Sequence, residues 1–344
     1  MTWSPSALPR RLRLPPHRSL LLRGPSARLL GLDPRTALVV DDLPPPLARM
    51  LDELAAPVER VGLLARAVQR GADRDAAEEL LGRLVGSGVV VDADGPDRVA
   101  RQRAAAAVTV VGGGRLSSGI AAGLGLAGVG SVWVETGPNG PVQECDLGTG
   151  LLDGDRGRPR AEAIADVVRR VAPGTSVGPP AARAVPDVCV LADAVVPDPS
   201  LLAALHRDRI AHMPVRLRDG TGVVGPLVLP GRSACLTCIE LHRCGRDPGW
   251  PAVTAQLVGQ PGRGDAATAA ATAALGVAQV LAALDAAAGG AAPAPSVLGA
   301  TLEIDIAAGG LLRRGWPAHP DCGCGAPPFA QTCGPRLERG TIMR

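Results

Sequence analysis

The sequence predicts an α/β fold: a Rossmann-like nucleotide-binding domain over residues 104–325 that carries a C-terminal zinc site, preceded by a winged-helix-like module over 19–95. Three observations predict it. Apolar residues at helical spacing follow three short β-rich segments near the N-terminus. A strand, a glycine-rich turn, a helix and a second strand run from Val108 to Glu135. Cys235-Leu-Thr-Cys238 is answered by Cys322-Gly-Cys324. At 344 residues the chain suits two or three domains rather than one core.

The ends, 1–18 and 326–344, are rich in Pro, Arg and Gly and read as disordered tails. Between them, Ser19 to Arg23, Ala27 to Leu32 and Thr36 to Val40 read as strands, divided by Gly24-Pro25-Ser26 and Asp33-Pro34-Arg35 turns. Three helices follow. Their expected buried faces are Leu47, Met50, Leu51 and Leu54; then Val61, Leu64, Ala65 and Val68; then Ala77, Leu80, Leu81, Leu84 and Val85. Gly86-Ser87-Gly88 stops the third helix, and Val89 to Val91 returns as a strand.

A winged helix suggests DNA, but the third helix carries Asp73, Asp75, Glu78 and Glu79 against Arg74 and Arg83, a net negative face that phosphate repels. Nucleic acid is therefore disfavoured. An open edge of the three-strand sheet, formed by Arg28 and Thr36 to Val40, offers capture of an extended peptide by strand addition. The plainer alternative is a module that only packs on its neighbour. The polar stretch Asp92 to Arg103 reads as a linker.

Val108-Thr-Val-Val-Gly112-Gly113-Gly114-Arg115-Leu116-Ser117-Ser118-Gly119 places a glycine loop between a strand and a helix running to about Ala127, whose N-terminal amides can face phosphate. Glu135 closes the second strand 23 residues after Gly112, where a ribose-binding carboxylate stands in such folds. The loop has Ser117 where the fingerprint wants a third glycine, and its glycines would equally permit a tight βα turn with no nucleotide. Ala161 to Val171 as helix and Val188 to Leu191 as strand continue the alternation. Ala266 to Leu284 is almost free of charge, but it is mostly alanine, contains Thr268, Thr272 and Gln279, and starts at Asp265, a helix N-cap. It reads as a buried helix of a soluble domain, with no membrane partner.

Composition excludes some chemistry. All 36 basic residues are arginine, so neither a Schiff-base lysine nor a Walker lysine exists. A net charge of +3 gives no field for nucleic acid. The longest apolar run near the N-terminus, Leu20 to Leu22, is too short for an export signal. Eight cysteines are too sparse for a disulfide scaffold, and the two close pairs among them suit a reducing, cytoplasmic compartment.

Cys235, Cys238, Cys322 and Cys324 are four soft ligands for one structural Zn2+. Cys244 or His242 would be the substitute ligand if the second pair were idle. Cys244, between Arg243 and Arg246, is also the best-placed nucleophile. Cys189 reads as core, and Cys145 and Cys333 have no visible partner. His206 and His212 read as packing or surface residues.

The glycine loop, Gly157-Arg-Pro-Arg160-Ala-Glu-Ala, the strand ending at Asp193 and the cysteine pairs together resemble the ThiF/MoeB superfamily of ubiquitin-activating-like adenylyltransferases. Gly225-Pro-Leu-Val-Leu-Pro-Gly-Arg-Ser-Ala-Cys235-Leu-Thr-Cys238, Arg246-Asp-Pro-Gly-Trp250-Pro and His319-Pro-Asp-Cys-Gly-Cys324 are similar to the ThiF-like partner proteins of thiazole/oxazole-forming cyclodehydratases, which also begin with a winged-helix peptide-recognition element. The resemblance implies that Gly112 and Gly114 approach phosphate and that Glu135 holds the ribose. It implies that Arg160 replaces a phosphate-contacting lysine and that Asp193 helps place magnesium and triphosphate. ATP and Mg2+ are thus compatible ligands, and a homodimer is a compatible assembly.

One departure bears on catalysis: no basic residue lies between Glu135 and Arg156, where adenylating members place an arginine. The expected function is therefore a peptide-recognition partner that binds a ribosomal precursor peptide and presents it to an ATP-dependent cyclodehydratase-type enzyme, its own adenylation site degenerate. The alternative is an active ATP/Mg-dependent adenylyltransferase of a peptide or protein C-terminal carboxylate. A nicotinamide-dependent oxidoreductase would use the same loop, but the zinc pairs argue against it.

Overall fold

The computed structural model describes residues 8–137, 140–178, 185–287 and 294–327. The chain divides into two compact units, one up to Val99 and one from Ala100 onward.

The first unit begins earlier than the sequence suggests. Arg11–Arg13 forms strand β1, within the stretch expected to be a tail, because Leu12 and Leu14 alternate with arginines and drive one face into the core. Strands β2 (Leu20–Gly24), β3 (Ala27–Leu30) and β4 (Leu38–Val40) follow, then α1 (Pro45–Glu53), β5 (Val58–Glu59), α2 (Arg60–Gln69), α3 (Arg74–Gly86) and β6 (Val91–Asp92). They make two three-stranded sheets, ordered β2-β3-β4 and β5-β1-β6.

Leu12, Leu30, Met50, Leu51, Leu54, Leu63, Leu81 and Leu84 form the core of this unit. Asp73 caps α3 by accepting the Ala76 amide at 2.9 Å. The face expected for α2 is corrected by about one residue. Leu63, Leu64 and Ala67 are buried while Val61 is 71% exposed, since the helix offers two apolar stripes and the core selects the one with two leucines. The two units divide inside the expected linker, which is largely helical: Gly95–Ala105 is a helix, α4, with no buried residue, and its lack of an apolar face hid it from periodicity.

The second unit is built on one seven-stranded sheet, to which β7 (Ala107–Val111), β8 (Ser131–Glu135), β9 (Val188–Ala192), β10 (His212–Arg218), β11 (Thr221–Val224), β12 (Ala300–Asp305) and β13 (Gly310–Gly315) contribute in the order β13-β12-β11-β10-β9-β7-β8. Strands β8, β7, β9 and β10 are parallel and the remaining pairings antiparallel. The helices are α5 (Arg115–Leu126), α6 (Arg160–Val171), α7 (Pro199–Arg207), α8 (Leu236–Cys244), α9 (Trp250–Leu257) and α10 (Ala266–Ala287).

Helix α10 is long and apolar enough to cross a membrane, yet Ala269, Ala273, Val277, Val280 and Leu284 belong to the main core of this unit. It packs on α5 so closely that a Cβ at Gly123 would lie 2.9 Å from Val277. Asp265 caps it, accepting the Thr268 amide at 2.7 Å and its hydroxyl at 2.8 Å. Near its other end Asp285 receives both nitrogens of the Arg103 fork, at 2.8 and 2.6 Å. The opposite sheet face carries a second cluster of Cys189, Leu191, Val228, Cys235, Cys238, Ile239 and Trp316 around the cysteine pairs.

Candidate functional site

The carboxyl ends of the parallel strands open into a cleft of about 660 Å³, where a doubly wound sheet places its ligands. Gly112, Gly114, Glu135, Arg160 and Asp193 all line it, so the structure brings these five candidates together. How they are engaged differs from the expectation.

Asp193 follows β9 in a left-handed backbone conformation, φ 69°. Its Oδ1 accepts the Leu116 amide at 2.9 Å. Its Oδ2 accepts the Gly114 amide at 2.9 Å and, in a short contact, the Ser117 hydroxyl. The two amide donors belong to the N-cap and first turn of α5, where a phosphate would find its N–H groups. A Cβ at Gly112 would lie 2.8 Å from Asp193 Oδ2, and one at Gly114 would lie 2.9 Å from its Cγ. The glycines therefore make room for this internal carboxylate. Burial pushes the Asp193 pKa up, against the hydrogen bonds that pull it down. Ser117, read as a defect of the fingerprint, is the hydroxyl that completes the seat.

Arg160 is likewise occupied. Its Nε and Nη2 both donate to Asp146 Oδ2, at 3.1 and 2.6 Å, with both side chains largely buried. Glu135, at the exposed end of β8, has no side-chain hydrogen bond among the described residues. Two cleft arginines escaped the sequence reading. Arg115 lies inside the glycine loop and donates to the Leu147 carbonyl at 2.6 Å, and Arg263 stands in Gly262-Arg-Gly264, a loop whose Gly262 amide donates to the Asp193 carbonyl at 2.9 Å. The absence of a basic residue between Glu135 and Arg156 thus does not leave the cleft without cations. Cys145 also lines it, its Sγ 3.9 Å from Gln143 Oε1.

The four cysteines form a separate site. Cys235 is the N-cap residue of α8 and Cys238 lies in its first turn, so the x-x spacing brings both thiols to one side. Cys322-Gly-Cys324 returns beyond β13. All four Sγ atoms lie within 4.8 Å of one another, with 235–238 at 3.8 Å, 235–322 at 3.6 Å and 238–324 at 3.6 Å. A tetrahedral zinc with Zn–S near 2.3 Å requires sulfurs about 3.8 Å apart. None of the four is in a disulfide. Donor type and spacing both fit zinc, and these four residues would hold it.

Burial pushes the Cys235 and Cys322 thiols up, so without metal they hold their protons and binding would release them. His242 is turned away to the Pro317 carbonyl at 3.1 Å, and neither it nor Cys244 joins the cluster. Cys189 is core, and burial raises its pKa to about 12. His212 is buried, its Nδ1 2.9 Å from the Ile210 carbonyl, while His206 lines a pocket of about 440 Å³ beside the cysteines. Cys333 lies outside the described residues.

In the N-terminal unit β4 is an edge strand and β3 is central. Arg28 is therefore not at an edge. It is buried on the inner face, where its Nε and Nη2 reach Asp52 at 2.7 and 2.8 Å. The register puts Leu21, Leu29 and Val39 in one row across the other face, with Leu21 42% and Val39 37% exposed. On α3, Glu78 pairs with Arg74 and Glu79 with Arg83, and the helix keeps its net negative charge.

No protein-family profile matches the chain, and no curated protein matches it. Among solved structures it is similar to the microcin C7 biosynthetic enzyme MccB in complex with N-formylated MccA, at 15% identity and a TM-score of 0.70 over 92% of this chain and 100% of that one. It is similar to MccB of E. coli with ATP, at 16% identity and a TM-score of 0.70 over 91% and 99%. PaaA gives 14% identity and a TM-score of 0.60 over 87% and 98%. These likenesses establish that the chain shares the fold of MccB and PaaA.

Proposed function

We propose that this chain is a zinc-stabilised peptide-recognition protein of the cytoplasm that binds a ribosomal precursor peptide and presents it to a separate ATP-dependent cyclodehydratase-type enzyme. The observation that carries this reading is Asp193. Its carboxylate already fills the amide seat of the glycine loop, so a triphosphate and its magnesium would have to displace three hydrogen bonds and leave a buried carboxylate without them. With Arg160 tied to Asp146, the two groups assigned to adenylation serve the fold instead. Peptide capture is assigned to the β4 edge and the apolar row beside it, and the likeness to MccB bound to MccA supports it.

A second reading keeps one specific observation: Arg115, Arg263 and Glu135 in the same cleft are suitable contacts for phosphates and ribose, and MccB is similar in its ATP-bound form. Under it the chain adenylates a C-terminal carboxylate. ATP–pyrophosphate exchange in the full chain, with magnesium and peptides encoded beside its gene, separates the two. Background exchange is expected, together with peptide binding that needs no ATP. Robust exchange lost in Asp193→Ala would establish the second reading.

A further inference from the structure

We propose that Arg216 receives a carboxylate side chain of an acidic peptide, which makes the sheet face beside α8 in the second unit a contact site selective for acidic residues. The inference rests on the peptide-binding reading above and assigns it a substrate chemistry.

Strand β10 alternates. Met213, Val215 and Leu217 enter the main core, so Arg216 and Arg218 fall on the other face. Arg216 is only 5% exposed, and burial pulls its pKa down to about 10, which still leaves it protonated at neutral pH. Glu240 and Glu303 are the carboxylates whose fields reach it, and both are engaged elsewhere. Glu303 accepts from Arg218 at 3.1 Å and Arg314 at 2.9 Å, while Glu240 accepts from Arg243 at 2.9 Å and the Trp250 indole at 2.5 Å. Among the described residues the guanidinium of Arg216 makes no hydrogen bond, although it has five N–H donors to offer.

Its nitrogens are not sealed in. Ser118 Oγ is the sole fully buried side-chain polar atom without a partner among the described residues, so the small exposure of Arg216 reaches its unpaired nitrogens. Arg243 lies close by, over the Trp250 ring at 5.1 Å and the Trp316 ring at 5.7 Å, with Arg246 over Trp316 at 5.6 Å. Cations thus outnumber free carboxylates around Arg216, with two indole rings beside Arg243. A buried, unpaired charge is costly to the fold, and a carboxylate from outside would satisfy it with two parallel N–H···O bonds. The rings suit the methylenes of a Glu side chain better than bare phosphate.

The test uses the full-length protein and an acetylated, amidated Glu-Ala repeat peptide with its Gln-Ala twin, compared by fluorescence anisotropy at fixed ionic strength. The Glu peptide is expected to bind about tenfold tighter or more. In Arg216→Met the ratio should fall to near one, and the free variant should melt at the wild-type temperature or above it, because an unpaired buried cation has become apolar. A ratio unchanged in the variant overturns the proposal, as does failure of the Glu peptide to bind the wild type. A drop in melting temperature overturns it by revealing an internal partner for Arg216. Displacement of the Glu peptide by inorganic phosphate in the wild type alone overturns it in favour of a phosphate site. Peptides encoded beside the gene that still bind Arg216→Met at wild-type strength would remove this inference and leave peptide recognition intact. Loss of all peptide binding in the wild type would remove both.

Discussion

The hydroxyl of Ser117 donates to the carboxylate of Asp193 across 76 residues of sequence, and the contact closes the glycine loop on itself. A carboxylate held by two backbone amides and a hydroxyl at a helix N-terminus stabilises that helix through hydrogen bonds and the macrodipole. Asp193→Ala should therefore destabilise the ligand-free protein by about 1–3 kcal/mol, since it orphans the buried amides of Gly114 and Leu116. Thermal unfolding would show a fall of several degrees, with a smaller one for Asp193→Asn, which keeps an acceptor. An exposed magnesium ligand would show the opposite pattern, with little change or a gain on removal, and that result would return Asp193 to an adenylation role.

Zinc is the second expectation. The purified chain should carry one zinc, and chelation should lower its melting temperature, because the four thiolates join α8 to a segment 84 residues beyond Cys238 and their binding energy is folding energy. Elemental analysis of a Cys322→Ser/Cys324→Ser double mutant should give no stoichiometric metal. Unaltered metal content would mean that Cys235 and Cys238 work with other ligands.

Much of this could be read from local signals. The β7–α5–β8 unit is specified by one contiguous stretch, and the cysteine pairs advertise themselves by spacing. What escaped depends on distant partners or on weak local patterns. β1 is three residues long amid arginines and prolines, and its pairing to β5 and β6 is decided by Leu12 finding the core. α4 has no apolar stripe. The seat of Asp193 and the approach of Arg263 join segments that sequence order keeps apart, so the motif alone could not show that a carboxylate of the chain hydrogen-bonds to the loop amides.

Acid should act through Asp155. The Leu152 amide at 2.9 Å, together with Arg158 at 2.7 Å, holds this carboxyl below the usual carboxylate range. A depressed folded pKa contributes stability that is present above the unfolded value, about 3.9, and is lost as pH falls through the folded one. Asp155→Asn should thus melt below the wild type at neutral pH, with the gap closing below about pH 4. Melting curves across that range provide the check, and a gap independent of pH would assign the effect to packing.

The edge strand gives the most direct test of peptide capture. Amide direction alternates along a strand, so of Leu38 and Val39 one donates toward β3 and the other points away from the sheet. Proline removes the donor at either position, and an edge strand tolerates it where the donor faces outward. Leu38→Pro and Val39→Pro should therefore split. The variant that breaks the β3–β4 ladder should lose melting temperature, while the variant that keeps wild-type stability should lose affinity for peptides encoded beside the gene. Glu78→Lys/Glu79→Lys in the full chain should shift which peptides bind, with less effect on the fold, because Leu81 and Leu84 remain buried on the other side of α3. If both proline variants are stable and bind as the wild type does, strand addition at β4 is wrong, and the partly exposed row of Leu21, Leu29 and Val39 becomes the surface to mutate next.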